Sequence, residues 1–149
     1  MNLPHLIHLF EYNAWANARA LQTVVACPSE RSGELMSHIV ETEYLWYLRI
    51  RGGYESMVSV WNRWPVDRLE KEIELLPATW SAWLGELADA DLERSVTYTN
   101  TKGVVYTNSV RQIPVHVIHH STYHRGQVAA EVRRTGGTPA LTDYIAYFR

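Results

Sequence analysis

The sequence predicts an all-α fold: a four-helix bundle with one small β-hairpin inserted between helices three and four. Three observations predict it. Four long segments carry apolar residues at the helical period, proline, serine or glycine bounds each of them, and one stretch alone switches to the β-branched pattern of strands. At 149 residues the chain has ordinary single-domain size, so residues 1–149 read as one domain with one core. Six tryptophans and nine tyrosines are many for this length and point to a core or pocket walled by large rings.

The first helix starts where Asn2 precedes Pro4, since proline in a first turn gives up no hydrogen bond, and Pro28 lies just past its end. Leu6, Leu9, Phe10, Ala14, Leu21 and Val24 form its apolar stripe. Asn13 and Asn17 border that stripe and read as a polar flank, Trp15 as cover for an edge, and His5 and His8 as solvated or packing side chains.

Ser29 or Ser32 caps the second helix, which runs to the Gly52-Gly53 stop. Leu35, Ile39, Thr42, Trp46 and Ile50 make its inner face, with His38 and Leu45 beside that line. Over 54–64 the periodicity fades around Trp61 and Trp64. Two exposed tryptophans would be costly, so this loop is expected to fold over something, as a pocket lid or a dimer contact. Pro65 opens the third helix, with Leu69, Ile73, Leu76, Trp80, Trp83, Leu84 and Leu87 as its apolar set. Pro77 is expected to kink or split it.

Residues 96–99 and 104–107 are β-branched and aromatic runs around Asn100-Thr101-Lys102-Gly103, a hairpin signature, and such a hairpin must lie against the bundle to persist. Asn108 or Ser109 caps the fourth helix, Pro114 is expected to make its first turns irregular, and Thr135-Gly136-Gly137 ends it. The tail after Pro139 carries Leu141, Tyr144, Ile145, Tyr147 and Phe148, which is expected to pack back as a short helical turn.

Charge and cysteine content exclude several classes. The formal charge is -2, the only lysines are Lys71 and Lys102, and no basic cluster occurs, so the electrostatic footprint of nucleic-acid binding is missing. Cys27 is the sole cysteine, which excludes an internal disulfide and a cysteine-based zinc finger. No segment approaches 18 uninterrupted apolar residues and the first residues lack a basic, apolar leader pattern, so no membrane association and a cytoplasmic setting are expected.

The most informative stretch is 113–127, I-P-V-H-V-I-H-H-S-T-Y-H-R-G-Q, which holds His116, His119, His120 and His124. On a helix, residues four apart are about 40° apart around the axis, so His116, His120 and His124 form one line. A single helical histidine is ordinarily a non-ligating side chain. Grouped imidazoles differ: they repel one another when protonated and each needs a partner when buried, so a shared metal ion is the less costly solution. At least two of the four are therefore expected to ligate, as in the H-x-x-x-H spacing. A third ligand must come from another helix, and His38, on the core side of helix two, is the best placed.

These residues resemble a family. H-V-x-x-H-x-x-x-H-R-G-Q, here His116 to Gln127, is similar to the fourth-helix signature of the DinB/YfiT-like metalloenzymes. The likeness extends to E-Y-N-A-W-A-N at 11–17, H-I-V-E-T-E-Y-L-W at 38–46 and G-G-T-P-A-L-T-D-Y at 136–144. It implies a four-helix bundle, usually a homodimer, with a divalent metal held by His38, His120 and His124. His116 matches a family histidine outside that triad, while His119 stands where many relatives have asparagine. Relatives include enzymes that use a low-molecular-weight thiol, bacillithiol or mycothiol.

The function this predicts is a metal-dependent enzyme, a thiol S-transferase or hydrolase acting on a small-molecule electrophile. Three neutral ligands leave an open position and the full ionic charge, enough to activate a thiol or water. Zinc, nickel, manganese, copper and iron are all compatible with imidazole. Glu41 and Tyr123 are candidate proton-transfer or supporting groups, Arg125 an inter-helix or dimer ion pair, and Gly126 a point of close helix packing. The competing reading is a non-catalytic, metal-stabilised structural or stress-response protein, with His116, His119 or a carboxylate closing the shell.

Overall fold

The computed structural model describes residues 2–53 and 59–149; the part of the expected 54–64 loop at 54–58 lies outside the described residues. The bundle consists of α1 (Leu3–Ala26), α2 (Glu30–Ile50), α3 (Val66–Gly85) and α4 (Gln112–Arg134). Strands β1 (Ser95–Thr99) and β2 (Val105–Ser109) pair antiparallel between α3 and α4, with Tyr98 opposite Tyr106. A 3-10 turn at Asp89–Glu93 leads into β1, and another at Tyr144–Phe148 follows α4. Among the described residues no helix is long and apolar enough to cross a membrane.

The helix starts obey local chemistry. The Asn2 side chain accepts from the His5 amide with proline in the first turn, and Ser29 and Ser32 form a reciprocal capping box on α2. Ser29 also donates to Glu131 at 2.8 Å, tying the start of α2 to the end of α4. The fourth helix is regular from Gln112, contrary to the irregular start expected of Pro114. Proline there is the third helical residue, whose amide would have no partner within the helix. Ser109 does accept from the Gln112 amide, at 3.3 Å, although it is itself the last residue of β2.

Pro77 does not split α3, which runs unbroken from Val66 to Gly85. One missing donor is outweighed by Leu76, Trp80, Trp83 and Leu84, which bury the second half of the helix. The C-terminal turn packs back only in part: Tyr144 and Tyr147 meet Tyr12 and Trp15 edge-on, whereas Leu141, Ile145 and Phe148 stay exposed. His8 packs against the Tyr147 and Phe148 rings, and His5 is exposed.

The core is two apolar clusters separated by a polar layer. One cluster gathers Leu6, Phe10, Trp80, Trp83, Ile113 and Val117, and the other Leu21, Leu35, Ile39, Leu69, Ile73 and Val128. Between them lie Asn13 and Asn17 on α1, Glu43 on α2 and Arg125 on α4, all buried. The asparagines are therefore not the polar flank that their place in the pattern suggests. Arg125 Nη1 donates to both, at 2.6 Å to Asn13 and 2.7 Å to Asn17, and Nη2 donates to Thr122 and Tyr12. Asn13 passes the contact on, its amide donating to Glu43 at 3.1 Å. Arg125 is thus the inter-helix tie foreseen among its readings, with asparagines as its direct partners. Gly126 is not a close-packing point, because a side chain there would meet no atom within 4 Å.

Burial raises the Glu43 carboxyl from its ordinary 4.5 to about 7, against the opposing pull of Arg125 and the Asn13 hydrogen bond. A raised carboxyl favours folding while it is protonated, so this contribution is complete below pH 4.5 and is lost as pH rises through about 7. Glu43→Gln, which keeps the protonated shape, is expected to match the wild type in stability near pH 4.5. At pH 8 it should exceed it by on the order of 2 kcal/mol. Urea denaturation at both pH values checks this, and an equal or lower stability of the variant at pH 8 would place the buried charge elsewhere.

Candidate metal centre

The polar layer continues into a group of imidazoles between α2 and α4. His38, on α2, and His120 and His124, on α4, each offer a ring nitrogen, and these atoms all lie within 4.8 Å of one another. Among the described residues this is the group of metal-ligating side chains that the fold assembles. The helices run antiparallel: His38 faces His120 and His124, while Trp46, two turns later on α2, faces His116.

Hydrogen bonds settle which nitrogens point inward. His38 Nδ1 lies 2.5 Å from the Val60 carbonyl, which can only accept, so Nδ1 carries the proton and Nε2 presents a lone pair. His124 Nδ1 lies 2.8 Å from Gln127 Oε1 and is fixed in the same sense. His38 Nε2 and His120 Nε2 are 3.2 Å apart. Two nitrogens at the vertices of a tetrahedral ion, each about 2.05 Å from it, are separated by about 3.3 Å, so the pair already has the spacing of a shared ligand shell.

Burial, helped by the neighbouring imidazoles, lowers His38 to about 4 and His120 to about 3, so these two rings are uncharged near neutral pH. Neutral imidazole is the form that ligates. The donor set and its spacing fit a divalent cation.

The described part of the loop after α2 lies against this group, which agrees with the first of the two roles expected of it, pocket lid or dimer contact. Trp61 lies flat on His38, 3.7 Å between ring centroids at an angle of 5°, and turns its edge region to His124 at 6.1 Å. Glu41 holds that loop. Its carboxylate is buried and accepts from the Asn62 amide at 3.1 Å and the Asn62 side chain at 2.7 Å. The same loop brings Val60 to His38, so Glu41 orients a ring through two intermediates, with both oxygens already engaged. Tyr123 meets His124 edge-on at 5.1 Å and is 66% exposed. His116 lies one turn from His120, 5.8 Å between centroids, outside the triad, and His119 faces a groove between α1 and α4.

Sequence reasoning did not find Val60, Trp61 and Asn62 as parts of the site. The signal available was the pair of costly tryptophans, which indicates a covering loop without naming what it covers.

A four-helix bundle carrying three convergent imidazoles between its second and fourth helices is the class of protein that this geometry defines. A sequence profile of the DinB family matches residues 1–149, and the chain belongs to that family. It is similar to Protein DinB of Bacillus subtilis (strain 168), 26% identical over 162 residues that cover 93% of this chain and 91% of that protein.

Glu41→Ala is expected to free the loop. Tryptic cleavage after Arg63 should quicken by about tenfold, the equivalent of about 1.4 kcal/mol from two lost charge-assisted hydrogen bonds. Equal cleavage rates in variant and wild type would show that the loop is held by other contacts.

Proposed function

We propose that the chain is a divalent-metal-dependent enzyme that activates a thiol or water for attack on a small-molecule electrophile, a thiol transferase or hydrolase, with His38, His120 and His124 as the ligands. The observation that carries this reading is the 3.2 Å approach of His38 Nε2 and His120 Nε2, with His38 held by Val60 in the tautomer that leaves its Nε2 a lone pair. Zinc, nickel, manganese and iron all suit such a donor set. A divalent cation held by neutral imidazoles keeps its full charge and lowers the pKa of a water or thiol reaching its remaining position.

The protein's part is to hold the imidazoles in one tautomer, exclude solvent on one side with Trp61, and leave the fourth position free. Among the described residues, His116, His119 and Glu41, candidates to close the shell, are engaged or directed elsewhere. This favours turnover over the non-catalytic reading, which needs a fourth protein ligand. Homodimer formation and a cytoplasmic setting, where a low-molecular-weight thiol would be available, belong to the same proposal.

Elemental analysis of purified protein is expected to find about one equivalent of metal per chain, lost in His120→Ala and in His124→Ala. Glu41→Ala should bind about tenfold more weakly, since it loosens the carbonyl that orients His38. Wild-type protein that stays free of metal after reconstitution would end the enzyme reading.

A further inference from the structure

The antiparallel pairing of α2 and α4 sets two facing rows of side chains that continue past the imidazole triad. On α2 the row is His38, Thr42 and Trp46 at four-residue steps, and on α4 it is His124, His120, His116 and Gln112 at the same steps. Trp61 lies on the His38 end of these rows. At their other end is a recess of about 360 Å³ lined by Trp46, Tyr98, Asn108, Gln112, Ile113 and His116. The hairpin supplies the far wall of this recess: Tyr98 from β1, whose hydroxyl donates to Asn108 on β2 at 2.8 Å.

The chemistry of that wall is specific. Trp46 meets both Tyr98 and His116 edge-on, each at 4.9 Å, so three rings frame the opening at steep mutual angles. Beside the Tyr98 hydroxyl and the His116 imidazole, the polar groups are two amides: Asn108 donates to Gln112 Oε1 at 3.0 Å, which engages the Gln112 oxygen and leaves its amino group a donor. Among the described residues no carboxylate lines the recess. Arg49 is buried behind it, with its guanidinium 4.6 Å from the Trp46 ring and 5.3 Å from Tyr98, and its Nη2 donating to the Thr99 carbonyl. A fixed positive charge behind the rings opposes a cationic occupant and leaves the site suited to planar, electron-rich surface. The volume suits a group of about one ring, since a cavity of about 150 Å³ already accepts benzene.

We propose that the hairpin-walled recess is the specificity pocket of the site, holding an aromatic, uncharged or anionic group of the substrate while its reacting atom reaches the three-histidine centre. This rests on the metal-enzyme reading above and adds the substrate class. It also gives the β-hairpin a role that the bundle does not require of it: Tyr98 and Asn108 are the side chains that the insert delivers to the recess.

The test is calorimetric titration of cobalt-reconstituted wild-type protein with two thiols of different body, benzyl mercaptan and ethanethiol. Both can reach the metal, and benzyl mercaptan alone carries a ring. The aromatic thiol is expected to bind about tenfold more tightly, from ring burial and edge-to-face contact. Tyr98→Phe should keep that ratio and Tyr98→Ala should bring it close to one, with ethanethiol affinity and cobalt stoichiometry unchanged. Gln112→Phe, which fills the recess from the helix side, should abolish the preference as well and serves if the alanine variant does not fold. A wild-type ratio near one, or a ratio that survives both Tyr98→Ala and Gln112→Phe, overturns the pocket while leaving the metal reading intact. If neither thiol binds the cobalt-loaded protein, the open coordination position is refuted, and the pocket assigned to serve it falls with it.

Discussion

The buried guanidinium of Arg125 is the constraint on which the site depends. It is adjacent to His124 in sequence, yet its hydrogen bonds go to Asn13, Asn17 and Tyr12 on α1 and to Thr122 on its own helix. A buried cation is tolerable only with such partners, and stripping partners from a buried charge typically costs about 3–5 kcal/mol. That penalty disfavours any rotation of α4 about its own axis. Because residues 120 and 124 sit at fixed angles from residue 125, the same constraint aims two imidazoles at α2. Asn13 extends it to Glu43, so the helix that carries His38 is referenced to the same charge.

This arrangement explains why the core is split in two. An apolar middle layer would be denser in hydrophobic contact, but apolar packing tolerates rotation and sliding better than hydrogen bonds do. The two clusters, around Phe10 and Trp80 at one end and around Ile39 and Val128 at the other, supply the stability. The polar layer supplies the register. Glu43 marks the cost of that choice, a carboxyl whose burial opposes its own charge.

Much of this was legible in the sequence, and the boundary has a physical reason. The four helices, the hairpin, the capping serines of α2 and the convergence of His38 on the fourth-helix histidines all follow from spacing along one chain segment or from the needs of grouped imidazoles. What failed were inferences that depend on a partner far away in sequence. Asn13 and Asn17 read as a flank because an asparagine at the margin of an apolar stripe is ordinarily solvated, and only Arg125, more than a hundred residues later, makes them core. Glu41 read as a proton-transfer or supporting group, and spacing alone did not choose between the two. Its engagement by Asn62 belongs to a loop with no periodicity to read. Pro77 does not split α3 and Pro114 does not disrupt the start of α4, because one backbone donor counts for less than the packing of the helix around it.

The walls of the site differ in how they are held, and the difference bears on what evolution can vary. His120, His124 and His116 stand on a helix locked by buried hydrogen bonds, and His38 on a helix capped at its start and tied to α4 through Ser29. Trp61 and Tyr98 stand on a loop and on a two-stranded insert, elements attached to the bundle rather than part of its register. Substitution in the first set disturbs the ligands, so it is coupled to folding. Substitution in the second changes what lies beside the centre while the imidazoles stay in place. On the proposed reading, a rigid four-helix frame with loop-borne and hairpin-borne walls separates the metal centre, which the frame fixes, from the choice of substrate, which the attachments can change independently.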